Sequence, residues 1–377
     1  MQKRIKEEKG ITLVALVITI IILLILAGVA LSLVIGKNGL IAKSKEGVDT
    51  YKEKAKEEQW QLEDFETGME EIDSAELEDE EEHPELKQMK LVLNITEDNK
   101  TIQLPVYRNT DKNYTYDCTV NWGDNEESKV TSENAKTIMH TYENTGTYTV
   151  TIDGTYECLY TDYEKNTSVK NTLIEVKQWG ATKLKRIQLE YCEKLTKIAT
   201  PSKSSFSNIT EFQSTFYRCS SLTNIPERLF ANCPKVTDFS YTFFYCKNLT
   251  SIPEKLFVNC SNVTGFQSTF VACEKLMSIP ERLFFNCPNV RYFCSTFSYC
   301  TGITSIPRNL FSKCHKVIDF ESAFAECTNL TGQSIQLWNE GREGVDENNG
   351  GAGCYAYCEK LDDYDSIPNY WKVRQDS

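Results

Sequence analysis

The sequence predicts a multidomain chain: an N-terminal transmembrane helix, a β-sandwich, and then an α/β solenoid built from 27-residue repeats. Three observations predict it. Residues 11–36 contain no charged side chain. Residues 88–176 are a series of short alternating apolar runs punctuated by Asn, Asp and Gly, the texture of closely spaced strands. From Trp179 onward, Cys and Phe return at a fixed interval of 27, the mark of a repeat architecture.

Composition removes several functional classes. The 377 residues carry 41 Lys plus Arg against 54 Asp plus Glu, a net charge of −13. Nucleic-acid binding needs clustered basic residues, so no nucleic-acid partner is expected. Only His83, His140 and His315 are present, which argues against a His-based metal centre or catalytic triad. The 15 cysteines are an odd number, so complete internal pairing is impossible.

The first segment, residues 1–36, is read as a cytoplasmic flank and a membrane span. At ~1.5 Å per residue, the uncharged run reaches ~39 Å, against the ~30 Å of a bilayer core. A cleaved secretory signal has a shorter apolar region, of ~7–15 residues. Lys3, Arg4, Lys6 and Lys9 precede the run, and a positive flank stays inside. The expected partner of residues 11–36 is therefore the cytoplasmic membrane, crossed once, with the bulk of the chain extracellular. The residues Lys9-Gly10-Ile11-Thr12-Leu13-Val14-Ala15-Leu16 resemble the prepilin leader of type IV pilins and pseudopilins. The resemblance implies cleavage between Gly10 and Ile11 and methylation of the new terminus. That family usually places Glu where this chain has Ala15, so a single-chain anchor is preferred to a filament subunit.

Residues 37–87 read as a helical stalk and an acidic linker. Leu40, Val48, Tyr51, Trp60, Leu62 and Phe65 are spread among Lys and Glu, and Glu76 to Glu82 is acidic except for Leu77. Such dense like charge repels itself and extends the chain. It has none of the loop spacing of a calcium site.

In residues 88–176 the predicted strands include Leu91–Ile95, Thr101–Leu104, Cys118–Trp122 and Tyr148–Ile152. Gly123 supplies a turn conformation, and Asp124 can bond its own turn backbone. Gly146 is expected to set the next turn. His140 is expected to be a hydrogen-bonded structural residue, because no nucleophile accompanies it. Val120-Asn121-Trp122-Gly123-Asp124, His140-Thr141-Tyr142 and Gly146-Thr147-Tyr148-Thr149-Val150 together resemble a polycystic-kidney-disease (PKD) type domain. The resemblance implies a spacer that presents its neighbour.

Residues 177–371 hold the repeats, with 372–377 left as a tail. Cys192, Cys219, Cys246, Cys273, Cys300 and Cys327 are 27 apart, as are Cys233, Cys260, Cys287 and Cys314. Phe216, Phe243, Phe270, Phe297 and Phe324 keep the same interval, and so do the Ile-Pro pairs from Ile225-Pro226 to Ile306-Pro307. Apolar residues recur mostly every third place. That fits coils of short strands and helical turns, with Pro cutting each strand short. One coil cannot bury its apolar side alone, but stacked coils share a continuous core. The order Phe-x-x-Cys-x-x-Leu-x-x-Ile-Pro resembles leucine-rich-repeat surface proteins of the BspA-like type, in the version first noted in mycoplasma lipoproteins. Gln178-Trp179-Gly180 before the first coil agrees, as does the close Cys354-Tyr355-Ala356-Tyr357-Cys358-Glu359-Lys360-Leu361, Ile367-Pro368 and Trp371. Residues 341–353 read as an inserted loop, and 354–371 as a cap.

The cysteines admit three readings. Zinc wants close pairs, and only Cys354 and Cys358 sit close. Disulfides form outside cells, but stacked side chains point the same way rather than at each other. The favoured reading is a ladder of buried thiols acting as small apolar residues. Cys294 breaks both series and is expected to be more exposed. No cofactor is expected. With the interior repeated, a partner is expected at positions that vary between coils. Tyr217, Arg218, Phe244, Tyr245 and Tyr299 combine area with polar tips, which suits an interface centre. The resemblances imply a non-enzymatic, membrane-anchored bacterial surface protein whose repeats bind protein or glycan partners in adhesion. The alternative is a minor pilin or pseudopilin-like subunit of a type IV pilus or secretion filament.

Overall fold

Between Met89 and Ile95, five of seven side chains are apolar and buried, so this strand is covered on both faces (β1). It lies near the middle of the main sheet. The computed structural model describes residues 83–107, 112–161, 168–231 and 233–374. The proposed membrane helix, the prepilin-like junction at Gly10 and Ile11, and the stalk up to residue 82 lie outside the described residues. Among the described residues, no helix is long and apolar enough to cross a membrane.

The other strands are β2 (Thr101–Gln103), β3 (Tyr116–Asn121), β4 (Glu127–Thr131), β5 (Met139–Thr141), β6 (Gly146–Tyr156) and β7 (Cys158–Tyr160), followed by β8 (Leu173–Gln178), β9 (Arg186–Gln188) and β10 (Lys197–Ile198). The helix α1 (Ser168–Thr172) precedes β8. The main sheet has six strands in the order β10-β8-β1-β6-β3-β4, while β2 and β5 form a separate pair. The strands of this β-rich region are therefore divided unequally between the sheets. Leu104-Pro105 follows β2 directly, and Pro has no N–H to extend a ladder. Gly146 does not set a turn as expected. It opens β6 and pairs with Ile95.

The turn residues behave as local chemistry requires. The Asn121 side chain accepts from the Gly123 N–H at 2.9 Å, and Asp124 accepts from the Glu126 N–H at 3.2 Å. The His140 ring stacks on Trp122 at 4.8 Å, and its Nε2 lies 2.7 Å from the Asp124 carboxylate. Its Nδ1 faces Glu126 at 3.5 Å, so both nitrogens already meet carboxylates. Tyr142 donates to the Trp122 carbonyl at 2.9 Å.

No seam separates this region from the repeats. β8 pairs antiparallel with β1 and parallel with β10, which belongs to the first coil. β7 of the β-rich region likewise pairs parallel with β9 of the repeats. The boundary placed at 176/177 in sequence falls inside β8. Trp179 closes the joint: it is buried, packs edge-on against Phe206 at 5.0 Å, and donates to the Ala199 carbonyl.

The repeats stack in register. Phe216, Phe243, Phe270, Phe297 and Phe324 form one column, with successive rings 5.4 to 5.7 Å apart, and Tyr355 continues it at 5.8 Å. Phe212, Phe239, Phe266, Phe293 and Phe320 form a second, and Phe230, Phe257, Phe284 and Phe311 a third. Adjacent columns interlock: Phe266 touches both Phe257 and Phe284 at 4.7 Å. Burying each such ring is worth ~1.5–3 kcal/mol.

The expected helical turns of an α/β coil are replaced by chains of tight turns. Among the described residues from 199 to 336, the coils contain no helix and only single-residue parallel bridges, such as Glu211 with Asp238. The backbone bonding explains this. Alternate N–H groups, those of Phe239, Tyr241, Phe243 and Tyr245, donate to carbonyls of the next coil at Gly265, Gln267, Thr269 and Val271. The residues between close turns within the coil: the N–H groups of Thr242, Phe244 and Cys246 donate three residues back. A three-residue apolar spacing serves such turns as well as it serves a helix.

All ten cysteines of the two regular series are buried. None of the 15 cysteines forms a disulfide, Cys118 and Cys158 in the β-rich region included. The first series has a bonding role. Cys246 Sγ donates to the Phe216 carbonyl one coil back at 3.3 Å, Cys273 to Phe243 at 3.4 Å, and Cys300 to Phe270 at 3.0 Å. A weak donor of small volume satisfies these buried acceptors without opening the core. Asn side chains do the same nearer the surface, as when Asn248 donates to the Ser220 carbonyl at 2.8 Å.

The open end is closed by the C-terminal segment. Trp371, in the short helix α2 (Asn369–Lys372), is fully buried against Trp338 at 5.3 Å and donates to the Asp346 carbonyl. The insert is a loop only in part. The carbonyls of Gly350, Ala352 and Cys354 accept from Phe320, Ser322 and Phe324, so its end is the next rung of the ladder.

Candidate partner-binding face

Each coil from Phe216 to Phe324 carries two residues with left-handed backbone, two before and two after the column Phe. They are Tyr241 (φ 58) and Tyr245 (φ 63) in one coil, and Ser295 (φ 54) and Tyr299 (φ 60) in another. Each is the third residue of a turn closed by an i to i+3 bond, where positive φ is required. The second position reads Tyr191, Arg218, Tyr245, Ala272, Tyr299, Glu326 and Tyr357 along the stack. Beside it runs a column of Tyr217, Phe244, Val271, Ser298 and Ala325.

Four of the five residues singled out in the sequence come together here. Tyr217 and Phe244 stack at 4.8 Å with planes 11° apart. The Arg218 guanidinium lies 5.3 Å from the Tyr191 ring and 4.9 Å from the Tyr245 ring, held between two coils. Lys247 Nζ sits 4.4 Å from the Tyr245 ring, and Glu274, 2.8 Å away, raises its pKa by hydrogen bonding. The fifth, Tyr299, is two coils on, 41% exposed, and separated from Tyr245 by the small Ala272.

Where the aromatic column gives way to Val271 and Ser298, a cavity of about 370 Å³ opens between Phe244 and Tyr299. Sequence reasoning did not find its other charged wall. Arg374, placed in the tail, lies along this surface: its Nη1 donates to Tyr299 Oη at 3.1 Å and its Nη2 to Ser298 Oγ at 3.4 Å. No periodic position marked it. Tyr191 was missed because it precedes the first complete repeat, although it shares the 27-residue interval with Arg218. The Nε–H groups of Arg218 and Arg374 are buried with no acceptor among the described residues. Cys294 is partly exposed, and burial pushes its thiol up to about 12, with Asp319 and Glu321 adding to the shift. It is a poor nucleophile at neutral pH. Among the described residues, no group of three or more His, Cys, Asp or Glu is placed to hold a metal ion.

Residues 172–318 match, in six copies, the family model described as the BspA type leucine rich repeat region. No curated protein and no solved structure matches the chain. The BspA-type match begins within α1 and therefore includes β8, the strand through which the stack joins the β-rich region.

Proposed function

We propose that this chain is a surface interaction protein whose BspA-type repeats form a solenoid that docks partners without chemistry. Repeat regions of this type are typical of surface and adhesion proteins. One observation carries the reading. The interior is the same in every coil, while the outside bears a local cluster in which Arg218 is held between Tyr191 and Tyr245, beside stacked Tyr217 and Phe244. Aromatic residues and Arg dominate binding hot spots. A rigid stack holds them in place before a partner arrives, which lowers the ordering cost of binding.

In this reading residues 11–36 anchor the chain in the cytoplasmic membrane, the bulk is extracellular, and the β-rich region is a PKD-like spacer. The interlocked Trp122, His140 and Tyr142 support the last point.

The test uses beads carrying the full-length chain, flowed over immobilised extracellular-matrix protein and over immobilised mucin. The double variant Arg218→Ala/Tyr245→Ser should lower retention roughly thirtyfold on the surface that captures the parent, the ~2 kcal/mol typical of a lost hot spot. Unchanged retention by a folded double variant would remove the face from the binding function.

A further inference from the structure

The cavity beside Phe244 has the chemistry of a sugar site. We propose that it seats one neutral pyranose ring of a glycan against the Phe244 ring. The inference rests on the partner-binding reading and names the ligand class at one place on that face.

Phe244 is the last ring of a short, half-buried stack. One of its faces is covered by Tyr217 at 4.8 Å, and the next residue in the column is Val271. Phe244 and Val271 both line the cavity of about 370 Å³. That volume is at the small end of ligand pockets, ~300–1,000 Å³, and suits one or two sugar rings. The aliphatic face of a pyranose carries C–H groups that pack on an aromatic ring.

The remaining walls supply what sugar hydroxyls need. Ser268, Ser295 and Ser322 line the cavity from three successive coils, and their hydroxyls make no hydrogen bond among the described residues. The Glu321 carboxylate also lines it without a side-chain partner there. Arg374 lines it too, its guanidinium held by Tyr299 Oη and Ser298 Oγ. A hydroxyl both donates and accepts, so it can bridge a carboxylate and a guanidinium. The two charges have opposite sign, which favours a neutral sugar over a charged one. A peptide would also find aromatic contacts here, but it offers fewer groups that both donate and accept.

The test is saturation-transfer NMR on the full-length chain in a sugar-free detergent. The probes are methyl β-glucoside, methyl β-galactoside, methyl α-mannoside and methyl N-acetyl-β-glucosaminide, each at millimolar concentration. At least one should receive saturation, strongest at the protons of one ring face. Val271→Phe, which completes the aromatic column and fills the cavity, should abolish the signal while the fold persists. Glu321→Gln should weaken it about tenfold. No transfer to any probe, or equal transfer in Val271→Phe, overturns the sugar assignment. If bead retention is then still lost in Arg218→Ala/Tyr245→Ser, the partner-binding reading stands without it. Loss of retention on matrix protein in Val271→Phe, with no sugar signal in the parent, would make the cavity a peptide seat and also overturn the proposal.

Discussion

The β-rich region and the coil stack both reverse the chain within a few residues, and they assign the left-handed positions to different residue types. In the β-rich region glycines take them, apart from Asn125 (φ 73). A Cβ on Gly123 (φ 88) would lie 2.7 Å from the Thr149 carbonyl oxygen, and one on Gly154 (φ 117) would lie 2.5 Å from that of Asp117. In the stack the same half of φ space is held by Tyr, Arg, Ser and Glu. An L-residue there costs roughly 1–2 kcal/mol, and a bulky one is unusual. The difference is where the Cβ points. Across the sheet it meets a neighbouring strand, so only Gly fits. On the stack several such side chains, Tyr241, Tyr299 and Tyr357 among them, stand at the exposed surface. Strain concentrated on one face, at the positions that vary between coils, is a pattern of functional surfaces.

The largest test of this contrast is alkaline pH. Two cysteines, Cys118 and Cys158, lie in the β-rich region and the other thirteen in the repeats. Burial raises many of the thiols: Cys192 and Cys314 to about 12, and Cys219, Cys260 and Cys287 well above 9.0. The folded stack keeps these protons after an unfolded chain has lost them. Its stability is thus complete below pH ~9 and falls as pH rises toward the folded values, by ~1.4 kcal/mol per pH unit for each thiol that ionises on unfolding. Buried Tyr116 and Tyr142 are also raised, but an unfolded tyrosine ionises near 10, so the interval from 9 to 10 isolates the thiols. Pulse proteolysis across that interval should cut the coils before the β-rich region. Cleavage beginning in β1 to β6 would reverse the contrast.

A smaller but more local test is Phe266→Ala. Phe266 packs against Phe239 and Phe293 in its own column and against Phe257 and Phe284 in the next. The cavity should cost ~3–5 kcal/mol in urea unfolding. Because each coil touches only its neighbours, hydrogen-exchange protection should fall most in the coils of Phe239, Phe266 and Phe293. Equal loss across β1, β3 and β6 would show instead that the chain unfolds as one unit.

The columns were legible in the sequence because the same position speaks in every repeat. Phe216 to Phe324 and Cys192 to Cys327 identify one another, and the stacked rings stand where the interval put them. The coil's internal geometry was not legible. Apolar residues every third place suit a helical turn or a tight turn, and no Gly marks Tyr245 or Ser295 as left-handed. The union of β8 with β10 was hidden as well, since Lys197-Ile198 is too short to read as a strand. Of the face, Tyr217, Arg218, Phe244 and Tyr245 could be found because they vary at fixed places. Arg374 could not, because the turn of chain that lays it against Tyr299 follows from the burial of Trp371.

The smallest effect asked for is also the sharpest. Ser214 has φ 57, and its hydroxyl makes no hydrogen bond among the described residues. Its backbone N–H donates to the Ser240 carbonyl, a bond that any residue keeps. Ser214→Gly should relieve the left-handed penalty of roughly 1–2 kcal/mol while adding about 0.5–1 kcal/mol of unfolded-chain entropy. The expected result is a gain of about 0.5–1 kcal/mol in urea unfolding. Gly154→Ala must move the other way, since it combines the same backbone penalty with a Cβ at 2.5 Å from a carbonyl oxygen. Opposite signs would establish that the stack carries side chains it would fold better without, so those on the outer face are kept for what they touch. Two losses of similar size would mean instead that the turns of the stack are relaxed with side chains in place, and strain could no longer be used to locate the binding face.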